Sequence, residues 1–281
     1  MRFFFQNSIS DMRILVFVLA LISVRPVLFA QQTANQTKVV TGTVLVNDRT
    51  PLDFKAIPAA LKSDWGVRLD SVSQSDKTLV MYTPLATVML ANMDYPAPLA
   101  DIQGASEAAW MWKTASEEAS RHQSQVVISV IGTVNKPVEL YKLFTRVAAA
   151  VLDNTRSCGV YMNTQYVLQS KAFYLQAARN LNEKVLPIYC WVFFGMLQQE
   201  GLSSAYTYGM QEFGLPDLEI SKSKHSLQEV HAILHDIVAD ALQNNTRLQD
   251  GSIVETLEGQ KITLKLTKSA LFEGQTLRVE Y

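Results

Sequence analysis

The chain has 281 residues, 48% of them hydrophobic and 18% charged, with four His and a formal net charge of −1. That length supports one large core or two modest ones, and that composition is globular rather than disordered. A nearly neutral balance supplies no basic field for DNA or RNA, so nucleic acid is set aside as a partner.

Residues 1–30 read as a secretory signal peptide. Arg2 and Arg13 precede the apolar run ILVFVLALISV, and the small residue Ala30 closes the stretch as a cleavage point. The run is shorter than the ~20 apolar residues that span a bilayer. The protein is therefore expected to be exported, periplasmic or secreted. If the segment stays uncleaved, residues 14–24 anchor it, and that is the one membrane contact expected. Arg25 interrupts the region before the cut, and Met12 is an alternative start. A misplaced start leaves the protein cytoplasmic. Removing residues 1–30 takes away Arg2, Arg13, Arg25 and Asp11, leaving 22 basic against 25 acidic residues.

Residues 31–37, QQTANQT, form a polar tether. VVTGTVLV alternates and is rich in Val and Thr, as a strand is. FKAIPAALKSDWG predicts a short helix limited by Pro58 and Gly66. RLDSVSQ, TLVMYTP and ATVMLANMDYP predict three short strands. SEAAWMWKTASEEASRH predicts one helix capped by Ser106, with Ala109, Met111 or Trp112, Ala115 and Ala119 on a shared face. VVISVIG is a buried strand. This succession, β-α-β-β-β-α-β, points to a ferredoxin-like arrangement over residues 38–135.

A second α/β lobe is expected over residues 136–281. VELYKLFTRVAAAVLD repeats Leu140, Leu143, Val147 and Val151 at helical spacing. CGVYM predicts a strand, and SKAFYLQAARNLN a helix capped by Ser170. LPIYCWVFFGML predicts a long strand with no wet face. In AYTYGMQEFGLPDLEI a strand ends near Tyr208, and Gly209 and Gly214 bracket a turn that Phe213 anchors. HSLQEVHAILHDIVADALQNN predicts a helix with Leu227, Val230, Leu234, Ile237, Val238 and Ala241 on one stripe. SIVETLEGQKITLKLTK predicts a hairpin turning at Glu258-Gly259, with LRVEY as a closing strand. The fold class is α+β with mainly antiparallel sheets and flanking helices.

No nucleophile elbow, Walker loop or G-x-G-x-x-G is present. The carboxylates of the turn between Gly209 and Gly214 and of the strand after it, Glu212, Asp217 and Glu219, are the candidate acid–base groups, with His122 or His231 as a partner. Such acids at a strand end are more often a hydrated surface face. His231 and His235, four apart on a helix, are the candidate metal pair, though they lack the Glu of H-E-x-x-H and a third ligand. No cofactor is assigned. The aromatics in MWK, YLQ, IYCWVFF and YTYG are read first as core, and second as an exposed ligand platform. Cys158 and Cys190 are read as buried free thiols, with one disulfide as the alternative.

MDYPAPLADIQGA with the Trp-bearing helix after it, RHQSQVVISVIG, RSCGVYM with QSKAFYLQA, LPIYCWVFFGM, AYTYGMQEFGLPDLEI and LQDGSIVETLEGQKITLKLT follow one another in the chain. In that order and spacing they resemble an uncharacterised bacterial family, the domain of unknown function 4261 (DUF 4261), from about Val39 to Tyr281. The resemblance implies no established activity and a mostly cytosolic group, from which an exported member departs. A second His in that family follows the one in RHQSQ three residues later; here that position is Gln125, which removes a paired-histidine site around His122.

The functional expectation is an uncharacterised exported protein that binds an unknown protein partner or small ligand without catalysis. One alternative is a hydrolase or isomerase using the acids of the 212–219 segment with a histidine. Another is a small-ligand or haem binder.

Overall fold

Two antiparallel-dominated sheets and seven helices make up the structure, a computed structural model that describes residues 36–255 and 259–281. The signal-peptide reading, most of the tether, and Glu258 of the hairpin turn lie outside those residues.

The first sheet contains β1 (Thr37–Val46), β2 (Ser71–Gln74), β3 (Thr78–Tyr82), β4 (Thr87–Met93), β5 (Ser124–Thr133), β6 (Ser157–Met162) and β7 (Val167–Ser170). Its order is β2-β3-β4-β5-β1-β6-β7, and every pair is antiparallel. The five strands through β5 are the expected ones, but their order in the sheet is not ferredoxin-like. That fold places its first strand in the sheet interior between its third and fourth; here β5 lies between β4 and β1. Nor does the sheet end at residue 135, because β6 and β7 pair onto β1.

The second sheet contains β8 (Phe193–Gln199), β9 (Leu202–Tyr208), β10 (Leu218–Ser223), β11 (Ile253–Glu255), β12 (Lys261–Lys268) and β13 (Gln275–Val279), in the order β11-β12-β13-β10-β9-β8. β10 and β13 are its parallel pair. The fold is α+β with mainly antiparallel sheets and flanking helices.

The helix α4 (Pro137–Asp153) lies at the centre. Pro137 starts it, where the missing N–H costs nothing. Leu140, Leu143, Val147 and Val151 are all buried, as are Ala148, Ala149 and Ala150, so α4 is enclosed on nearly every side. Each such leucine or valine contributes roughly 1.5–3 kcal/mol by leaving water. Around it pack β1, β5 and β6, together with α1 (Ala56–Ser63) and α5 (Lys171–Asn180). Ser170 caps α5 as expected, accepting from Phe173 N. The helix α7 (Leu227–Asn244) covers β8, β9 and β10 with its apolar stripe; Ser226 and Glu229 form a reciprocal capping box at its start. One hydrophobic core runs beneath both sheets, and a smaller cluster fills the opposite face of the first sheet.

Two predicted elements change form. The single Trp-bearing helix is two, α2 (Leu99–Ala108) and α3 (Ala115–Ala119), separated by turns. Ser106 lies inside α2 and bonds Gln103 O and Ser116 Oγ rather than capping. The run is apolar at every position from Ala108 to Trp112, so it carries no period. Burial of Trp112 over Gly159 decides the shape, since a Cβ at Gly159 would lie 2.8 Å from the indole. The long strand over LPIYCWVFFGML likewise begins as a helical turn, α6 (Ile188–Trp191), after Pro187. There Trp191 Nε1 donates to the buried Thr145 Oγ1 at 2.8 Å. Cys158 and Cys190 are free, and burial lifts the Cys158 thiol to about 11 and Cys190 further. No helix of the described residues is long and apolar enough to cross a membrane.

Candidate functional site

The acids of the 212–219 segment are distributed among three separate sets of partners. Gly209 (φ +105°) and Gly214 (φ +73°) bracket a 3-10 turn, Met210–Phe213, as the sequence predicts. Glu212 leaves this turn toward the first sheet, where Lys38 Nζ donates to it at 2.7 Å and Tyr141 OH at 3.4 Å. Tyr141 in turn accepts from Gln165 Nε2. Phe213 packs against Tyr141 and Trp191, with ring centres 4.6 and 6.1 Å apart. The turn is thus a clasp between the sheets, and Glu212 is its ionic tooth.

Asp217 and Glu219 are buried, at 2% and 0% exposure, rather than hydrated. Asp217 Oδ1 accepts from Met210 N at 3.0 Å and Thr207 Oγ1 at 3.1 Å, which ties the turn to β9. Burial raises its pKa to about 6, against the opposing pull of these donors. A folded pKa above the unfolded one favours the protonated form in the fold. The resulting stabilisation is complete below the unfolded value of 3.8 and is lost as pH rises through about 6. Wild type is therefore expected to lose about 2.5 kcal/mol relative to Asp217→Asn between pH 4 and pH 7. Urea denaturation of both proteins across that range checks this, and a pH-independent difference contradicts it.

Glu219 accepts from Ser269 Oγ, Ala270 N and Thr276 Oγ1, and Arg278 Nη2 stands 3.9 Å away. These contacts fasten the loop after β12 across the outer face of the second sheet, where Phe272 packs on Tyr206 and Tyr208. His122 is also structural. Its Nε2 accepts from Ala97 N at 2.8 Å, and its Nδ1 donates to Ala119 O at 2.6 Å. Burial lowers its pKa, in keeping with a neutral ring that needs Nε2 as an acceptor. Among the described residues no hydrogen bond or ion pair joins Glu212, Asp217, Glu219, His122 and His231 to one another.

The histidines of α7 lead elsewhere. His231 and His235 both stack on Tyr189, with ring centres 5.7 and 4.9 Å apart. Trp110 meets His231 edge-on at 5.3 Å and Tyr189 at 6.0 Å, and Phe194 closes the group. Among the described residues no three His, Cys, Asp or Glu are placed to hold a metal ion. The pair serves as an aromatic buttress.

In front of this buttress is a cleft of about 300 Å³, its open mouth included. It lies where the edge strands of the two sheets, β7 and β8, approach without pairing. The α2–α3 connection supplies Trp110 and Met111, β7 and its turn supply Tyr166 and Gln169, and α6 with β8 supplies Tyr189, Phe193 and Phe194. Within the Trp-Met-Trp sequence, Trp112 is the buried anchor (7% exposed) and Trp110 the displayed ring (44%). Tyr166 has φ +60°, a strained conformation for an aromatic residue that costs of order 1–3 kcal/mol. Its hydroxyl occupies the space left by the missing side chain of Gly104. Gln169 is buried with Oε1 unpartnered, a further cost of about 1–3 kcal/mol. Backbone strain and an orphaned polar atom meet at this aromatic surface, which makes it the candidate site.

Residues 206–280 match the family model described as Domain of unknown function (DUF4261). This part of the chain is similar to that family. The match spans the end of β9, the 3-10 turn, β10, α7 and the last three strands, a shorter stretch than the resemblance read from the sequence. No curated protein and no solved structure matches the chain. The matched segment supplies the clasp, the three acids, and His231 and His235 behind the cleft. The cleft's front wall, Trp110, Tyr166 and Gln169, comes from outside the match. Sequence reasoning missed Gln169 and Tyr166 altogether, because nothing local distinguishes a strained Tyr or an orphaned Gln. The MWK and IYCWVFF aromatics were visible, but exposure is a tertiary property.

Proposed function

We propose that this protein is a non-enzymatic binding protein whose contact site is the aromatic cleft between β7 and β8. The observation that carries this reading is Trp110, an indole 44% exposed yet held edge-on by Tyr189 and His231 at the cleft mouth. Large exposed aromatics in a fixed geometry give contact area at low entropic cost. The engagement of Glu212, Asp217 and Glu219 in separate structural networks favours binding over a hydrolase or isomerase built on them. A free space of about 300 Å³ that already includes the open mouth favours a small inserted group over a haem.

The test is a panel of amines, aromatic compounds, sugars and short peptides, scored by thermal shift on wild type and Trp110→Ala. Ligands that stabilise wild type and not the variant are expected. A panel in which no stabilisation depends on Trp110 overturns the reading. Residues 1–30 further support a site of action outside the cytoplasm. Sequencing the N-terminus of protein from its host is expected to give a start near Gln31, and an intact Met1 or Met12 refutes it.

A further inference from the structure

The ring that carries the cleft mouth, Trp110, leans on two groups that can take a proton. His231 and His235 lie one turn apart on α7 and both stack on Tyr189, their planes 10° and 21° from its own. Trp110 crosses Tyr189 and His231 at 85° and 82°. Among the described residues its indole makes no hydrogen bond, so ring contacts hold it in place. Few titratable groups face the pair. On α7, Asp236 Oδ1 stands 3.4 Å from His235 Nδ1. On α6, the Tyr189 hydroxyl stands 3.5 Å from His231 Nε2, and burial and Asp236 raise that phenol, while Cys190 sits beside Tyr174. Phe194 of β8 meets both histidines and does not titrate. Beneath α7, Tyr206 and Tyr208 of β9 pack on Phe272, Glu219 of β10 is taken by Ser269, and Lys222 is exposed.

We propose that His231 and His235 form an acid-operated latch on Trp110: with a proton on both, their repulsion across Tyr189 breaks the stack and frees the indole from the cleft mouth. The proposal rests on the cleft being the protein's binding site, whose main aromatic contact the latch withdraws in acid. One imidazolium is tolerated, because ring faces attract a cation and Asp236 is close to His235. A second sets like charges one helical turn apart, a destabilising arrangement. His231 is also half-buried against Trp110, so its charge is short of water until one of the two rings moves. Burial first, and His235 second, hold His231 below its ordinary 6.5. With the folded value depressed, the stabilisation given by the neutral ring is complete above 6.5 and is lost as pH falls through the folded value. The latch is therefore closed at neutral pH and opens on acidification.

Acrylamide quenching of tryptophan emission in the whole protein, from about pH 7 down to about pH 4.5, tests this. Subtracting the signal of Trp110→Phe separates Trp110 from Trp65, Trp112 and Trp191. The quenching constant of Trp110 is expected to about double, as an indole 44% exposed becomes fully exposed, with far-UV circular dichroism unchanged. His231→Gln and His235→Gln each leave a single titrating ring, and both are expected to lack the rise. Asp217 takes up its proton in the same range, so Asp217→Asn is the control and should keep the rise. A flat wild-type profile, a rise that survives either Gln variant, a rise lost in Asp217→Asn, or one that coincides with loss of far-UV signal overturns the proposal. No ligand enters this measurement, so the two readings fail separately. Ligands that depend on Trp110 without acid release leave the cleft as the binding site and refute the latch alone. Acid release without any such ligand refutes the binding site and leaves the latch.

Discussion

Glu219→Ala is expected to lower the free energy of unfolding by about 3–5 kcal/mol, because it strips a fully buried carboxylate from the donors that surround it. Ser269 Oγ, Ala270 N and Thr276 Oγ1 lose their common acceptor, and Arg278 loses its nearest anion. The hydroxyl of Ser269 also accepts from Leu271 N and Phe272 N, so the loss propagates into the loop after β12. Equilibrium urea unfolding measures the first effect. Limited proteolysis measures the second, with new cleavage expected between residues 269 and 274. Glu219→Gln keeps the volume and one acceptor, and its loss should be intermediate. An alanine variant within 1 kcal/mol of wild type, with the loop still protected, contradicts this account.

Gly209→Ala is expected to cost about 2–4 kcal/mol, from two sources acting together. The backbone sits at φ +105°, and a Cβ there would lie 2.7 Å from Gln165 Cγ and 3.0 Å from its Cβ. Gln165 cannot easily withdraw, since it is buried and donates to Tyr141. Gly214 is the internal control. It also has positive φ, +73°, but a Cβ would meet nothing within 4 Å. Gly214→Ala should therefore cost only the backbone penalty, roughly 1–2 kcal/mol. Parallel denaturant melts separate the two, and equal losses at both glycines would refute the clasp.

The turn at 209–214 was legible because its chemistry is local: two glycines permit positive φ, and Phe213 between them is the obvious anchor. The helices at 137–153 and 227–244 were legible for the same reason, as the period of their apolar residues is written in consecutive positions. The helix broken at Ala109 and the turn at Ile188 were not, because an unbroken apolar run carries no period and a distant partner chooses its shape. For the first that partner is Gly159, under Trp112; for the second it is Thr145, beside Trp191. Glu219 illustrates the same limit for the site. Followed by Ile-Ser-Lys, it read as a hydrated acid, and only a loop fifty residues later hides it from water. The cleft needed three segments far apart in the chain, and so Trp110, Gln169 and Tyr189 carried no joint signal.

The placement of β13 has a consequence for the nascent chain. That strand is the inner partner of both β10 and β12, yet it follows them on the ribosome. Until Gln275–Val279 emerges, β10 presents an unpaired backbone edge and the β11–β12 hairpin has no sheet to join. β1 faces a similar wait, since its neighbours β5 and β6 are synthesised about eighty residues or more behind it. The second sheet is therefore closed only by its interior strand β13, and the first stays open until β5 and β6 arrive. Through synthesis the chain carries open strand edges, the kind of surface that chaperones shield and that other nascent chains can pair with.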